Sequence, residues 1–134
     1  MIHVSLQQLR NAFQAHLLCD GVKVPTSRYL LLFYAVECGL KMTYLRKRNL
    51  LSTDKIPVAA FHGHDLTAWV KELQIPAKSI SGKSRFRHKP SDVPQDITQV
   101  HQVWRYGAKM VTEDEADVVK WLNSVASWIK EQDK

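Results

Sequence analysis

The sequence predicts an all-α protein, an up-and-down bundle of four to five helices spanning residues 1–134 as one domain. Three observations carry this. There are only five Gly and five Pro in 134 residues, 45% of the residues are hydrophobic, and apolar residues recur at three- and four-residue spacing over several stretches free of both breakers. A chain of this length buries roughly 68% of its unfolded surface, enough for one core without metals or disulfides.

Ser5 stands ahead of Leu6, Leu9, Phe13 and Leu17, so a first helix is expected from about Ser5 to Cys19, stopping at Asp20-Gly21. Thr26 or Ser27 can cap a second helix running through "RYLLLFYAVECGLKMTYLRKRNLL", which has a single glycine. At 1.5 Å per residue it is about 36 Å long, and its first half is apolar nearly all round, as befits a helix surrounded by others.

After Pro57 the chain restarts at "GHDL", where Asp65 is a good N-cap and Leu66, Trp69, Val70 and Leu73 make the apolar face of a short third helix. Residues 77–94, rich in Ser, Lys and Arg, lack helical periodicity and are expected to form a long basic loop. Ile97, Val100, Val103 and Trp104 mark a fourth helix ending near Gly107. A fifth begins at "TEDE", where Thr112 and Glu115 have capping-box spacing, and carries Val118, Trp121, Leu122, Val125, Trp128 and Ile129 along one side.

The net charge of +6 and pI near 9.4 favour polyanionic partners. Cys19 and Cys38 stand apart with no C-x-x-C pairing, which signals neither a zinc site nor a disulfide framework and suits a reducing, cytoplasmic setting. "HGH" (His62, His64) lacks the third ligand that zinc needs, so no metal and no cofactor is expected. The N-terminus has no export signal, and the longest apolar run, eight residues, falls far short of the ~20 that span a bilayer. A soluble protein with no membrane attachment is expected.

Within the apolar second helix one charge stands out. Glu37 follows "YLLLFYAV" and precedes Lys41 by one turn, so the two can pair at i, i+4 while the carboxylate finds further partners at a helix seam. Together with "GHDL" about twenty residues on and "WRYG" later, the pattern Tyr34, Ala35, Glu37, Leu40, Lys41 resembles the HEPN family, the higher eukaryotes and prokaryotes nucleotide-binding domains. The resemblance covers roughly Ser27 to Gly107 and makes Glu37, Lys41, His64 and Asp65 polar fold determinants.

What the resemblance implies is a helical bundle, often a homodimer, acting in RNA processing, toxin–antitoxin pairs or defence. Members that cut RNA without metal carry an Arg followed, after four to six residues, by a His. Only Arg10 to His16 has that spacing, chance alone yields about one such match, and it lies in the first helix. In "HQVWRYG" the pair His101 and Arg105 stands one turn apart in reversed order. The missing order weighs against catalysis; a catalytic member would be a metal-independent endoribonuclease, with His101 moving a proton and Arg105 stabilising the phosphorane. No Gly-rich phosphate loop is present.

Two basic clusters are candidates for binding RNA. Arg46, Lys47 and Arg48 end the second helix, where the dipole also favours positive charge. Lys83, Arg85, Arg87, His88 and Lys89 surround Phe86, whose ring could stack on an unpaired base. The alternative function is a non-catalytic interaction module whose basic face binds an acidic protein partner.

Overall fold

The computed structural model describes residues 5–17, 25–88, 93–106 and 108–133. It is an all-α bundle: α1 (Leu6–Leu17), α2 (Pro25–Lys47), α3 (Leu66–Glu72), α4 (Val100–Tyr106) and α5 (Thr112–Gln132), with one two-stranded antiparallel ribbon, β1 (Arg85–Phe86) and β2 (Gln95–Asp96). Among the described residues no helix is long and apolar enough to cross a membrane.

The helix α2 is the central mast and packs against all four other helices. That explains its near-uniform apolarity: Phe33, Ala35, Val36, Leu40, Met42 and Leu45 are fully buried on different sides. It begins with Pro25 in its first turn, a position where the missing N–H costs nothing, rather than after a Thr26 or Ser27 cap. Its only glycine has a packing reason, because a Cβ on Gly39 would lie 2.8 Å from both Phe13 Cδ1 of α1 and Ile129 Cδ1 of α5.

The start of α1 is a capping box. The Gln8 N–H donates to Ser5 Oγ (3.1 Å) and the Ser5 N–H donates to Gln8 Oε1 (2.8 Å). No such box opens α5: its N-cap is Val111, and Glu115 instead accepts from the Trp104 indole N–H at 3.1 Å, joining α4 to α5. A buried indole N–H needs an acceptor, and that demand claims the carboxylate that the local pattern assigned to capping.

The stretch expected to be a free basic loop is laid across α5. The Ser81 N–H donates to Ser124 Oγ (3.1 Å), the Lys83 N–H to the Asp117 carbonyl (3.2 Å), and the Arg87 N–H to an Asp114 carboxylate oxygen (2.8 Å). Gly82 permits this approach, having φ +73° and leaving no room for a Cβ, which would fall 2.2 Å from the Asp117 carbonyl oxygen. Phe86 is 1% exposed and belongs to the core.

Candidate functional site

Three helices, α2, α3 and α4, converge on one polar cluster. Along α2, Tyr34, Glu37 and Lys41 fall on one face, at spacings of three and four residues. Glu37 is 6% exposed, and its carboxylate Oε1 lies 3.9 Å from Lys41 Nζ and hydrogen-bonds His64 Nδ1. An ionised carboxylate only accepts, so in this pair His64 Nδ1 carries a proton, and in the neutral ring the lone pair is then on Nε2. The His64 side chain is 61% exposed, and among the described residues Nε2 has no hydrogen-bond partner.

Local sequence sets this up. Gly63, at φ +57°, turns the chain ahead of α3, and its carbonyl accepts from Trp69 Nε1 at 3.0 Å. Asp65 then caps α3, accepting from the Ala68 N–H at 3.1 Å, so His64 is fixed just outside the helix start.

His101 stands behind His64. Their ring centroids are 5.4 Å apart, and the other side of His101 meets Phe33 at 5.0 Å. His101 is 8% exposed, and its Nδ1 is buried without a hydrogen-bond partner among the described residues. Burial holds its pKa below the ordinary histidine value; the Thr98 backbone opposes this in part, His64 and Arg105 add to it, and Glu37 opposes it slightly. His101 is therefore a neutral ring in the wall, and the histidine facing solvent is His64. Of the two rings, the one that sequence assigned to proton transfer, His101, is thus the buried one.

One turn on, Arg105 is exposed; it donates to the Tyr34 hydroxyl and lies over that ring at 5.8 Å. Its partner is a tyrosine rather than an acid, so its positive charge is uncompensated by a carboxylate among the described residues. The hydrogen bond to Tyr34 raises its already high pKa, keeping the guanidinium charged at any working pH.

The start of α3 is tied to the short turn Ile97–Gln99 that leads into α4, through contacts that sequence reasoning passed over. The Asp96 carboxylate accepts from Thr67 Oγ1 at 3.0 and 3.1 Å and from the Thr98 N–H at 3.0 Å, while Thr98 Oγ1 donates to Asp65 at 3.3 Å. Asp96 thus takes both threonine hydroxyls, that of Thr98 at 2.5 Å, with Asp65 beside the Thr98 hydroxyl. The available signal was Asp96-x-Thr98, an Asx-turn spacing at a helix start.

The remaining candidates divide. Of the 83–89 cluster, Arg87 is bound by Asp114 through Nε at 2.8 Å and Nη2 at 3.2 Å, which holds the Asp114 carboxyl below its usual range; Lys83 lies 3.8 Å from Asp117. Arg85 is exposed and donates to the Pro94 carbonyl at 3.2 Å, and His88 pairs with Met110. With Phe86 in the core, the described residues offer no aromatic platform there; Lys89, like Cys19, lies outside the described residues, as does the side chain of His16.

At the end of α2, Arg46 is bound by Asp133. Lys47 lies over the Trp128 ring at 5.4 Å, and Arg48 over Tyr44 at 5.6 Å. Burial, then the Glu37 charge, push the Cys38 thiol up to about 11. Among the described residues no group of three or more His, Cys, Asp or Glu side chains is placed to hold a metal ion. Comparison with family models, with curated proteins and with solved structures returns no match.

Proposed function

We propose that this chain is a HEPN-like RNA-binding domain that cleaves RNA without a metal ion, using His64 and Arg105 rather than the histidine expected from sequence. The observation that carries the reading is the Glu37–His64 pair: a buried carboxylate fixes Nδ1–H of an exposed imidazole, leaving Nε2 as a base.

In this reaction Nε2 takes the proton of a ribose 2′-hydroxyl as the 2′-oxygen attacks the adjacent phosphorus. A 2′-O–P bond forms and the P–O5′ bond breaks, giving a 2′,3′-cyclic phosphate and a 5′-hydroxyl that takes its proton from water. The charge gathering on the phosphorane oxygens is met by Arg105, which Tyr34 orients. Tyr34 positions Arg105, and Lys41 steadies the carboxylate. The family resemblance adds a homodimer working in RNA processing, a toxin–antitoxin pair or defence.

The test is a gel assay of end-labelled single-stranded and structured RNAs in EDTA. Cleavage products ending in cyclic phosphate, lost in His64→Ala and in Arg105→Ala, support the reading. RNA left intact by the folded wild-type protein contradicts it and favours the interaction module with an acidic partner.

A further inference from the structure

The positive charge of this surface is distributed differently from its sequence. Arg87 and Lys83 are matched by Asp114 and Asp117, and Arg46 shares Asp133 with Arg10. Among the described residues Lys47 and Arg48 have no carboxylate within 4.0 Å. They line a hollow of about 370 Å³ with Tyr44, Glu72, Leu73 and Gln74. Its one acid, Glu72, faces His62 Nε2 at 3.4 Å. Arg48 is braced on the Tyr44 ring and Lys47 on Trp128, with Lys47 Nζ donating to the Leu73 carbonyl at 3.3 Å. Braced in this way, both cations lose less side-chain entropy on meeting an anion, and the planar guanidinium offers a fork suited to two phosphate oxygens.

The hollow also has a fixed relation to the cluster at Glu37. Tyr34, Glu37, Lys41 and Tyr44 succeed one another at three- and four-residue spacing along one face of α2, and Arg48, whose N–H donates to the Tyr44 carbonyl at 3.1 Å just past the helix end, continues that stripe. The eleven steps from Glu37 to Arg48 rise about 16 Å, the reach of a few nucleotides of extended chain.

We propose that the Lys47–Arg48 hollow is a phosphate subsite that holds a single-stranded RNA a few nucleotides away from the bond placed at His64. This takes RNA as the ligand from the preceding reading and adds the path of the strand. An RNA too short to span both places gains nothing from the subsite.

The probe is a fluorescent 2′-O-methyl oligoribonucleotide of about twelve residues, which spans a typical single-strand site and cannot be cleaved through its 2′ position. Its anisotropy is titrated across a salt series against wild type, Lys47→Ala/Arg48→Ala and, with the same charge removed elsewhere, Lys55→Ala/Lys120→Ala. The Lys47/Arg48 variant is expected to flatten the slope of log affinity on log salt by roughly 1.4, two phosphate contacts at 0.7 each, and the control to keep the wild-type slope. Equal slopes for the two variants, or no binding to wild type, overturn the proposal. If wild type cuts no RNA in EDTA but the slope change is seen, the subsite stands and the cleavage reading falls. If RNA is cut and the slope is unchanged, the reverse holds.

Discussion

Glu37 and His64, twenty-seven residues apart, form one unit in which a carboxylate buried on the central helix holds the proton of a histidine that faces solvent. The charge that looks misplaced in the most apolar part of the sequence is the fixed end of that pair. Glu37→Gln keeps the shape but removes the charge and leaves the imidazole free to flip. Cleavage in EDTA is expected to fall about a hundredfold or more, the usual contribution of a positioned base, with the folded state retained in a thermal melt.

His101 makes stability depend on pH. Its folded pKa lies below the unfolded value of about 6.5, chiefly through burial, and it is faced by His64, Arg105, Glu37 and the Thr98 backbone. Above that pH both states hold it neutral. As the pH falls through the unfolded value, the unfolded chain takes up a proton that the native state refuses, so stability drops until the folded pKa is passed. His101→Phe removes the titration and keeps a ring against Phe33. Urea titrations between pH 7.5 and 5 are expected to give a smaller acid loss for the variant than for wild type; equal losses contradict this.

Two glycines are fixed by space. Gly39→Ala gains helix propensity but drives a methyl into Phe13 and Ile129, a net loss of roughly 1–2 kcal/mol. Gly82→Ala meets α5 backbone at a positive φ, and roughly 2–3 kcal/mol is expected. For Gly82→Ala, hydrogen exchange is expected to rise in residues 81–88, where the chain lies on α5, more than in α1.

The Cys38 thiol, with its pKa pushed up to about 11, is the inert kind. In a Cys19→Ser background, its reaction with a disulfide reagent at pH 8 is expected to be about a hundredfold slower than that of a free thiol, because so little thiolate is present. A rate near the free-thiol value contradicts the burial and the nearby negative charge to which the shift is traced.

Local features were legible in the sequence. The central mast, the Asp65 cap, the bundle class and the oddity of Glu37 each rest on neighbours within a turn or two, where spacing speaks directly. Long-range choices were not. Residues 83–88 look the same in sequence whether free or docked, since neither state needs a helical period. The clue was complementary spacing: Lys83 and Arg87 four apart, Asp114 and Asp117 three apart on a helix, with Gly82 marking the close approach. Likewise, His101 and His64 both carry the right chemistry, and only the packing of Phe33 against His101 decides which one is buried.

The measurement that bears most directly on the account compares wild type, His64→Ala and His101→Phe on single-stranded RNA in EDTA. The account predicts cyclic-phosphate products from wild type, none above background from His64→Ala, and retained cleavage by His101→Phe. Cleavage that survives His64→Ala but vanishes with His101→Phe would contradict it, as would a folded wild-type protein that cuts no RNA.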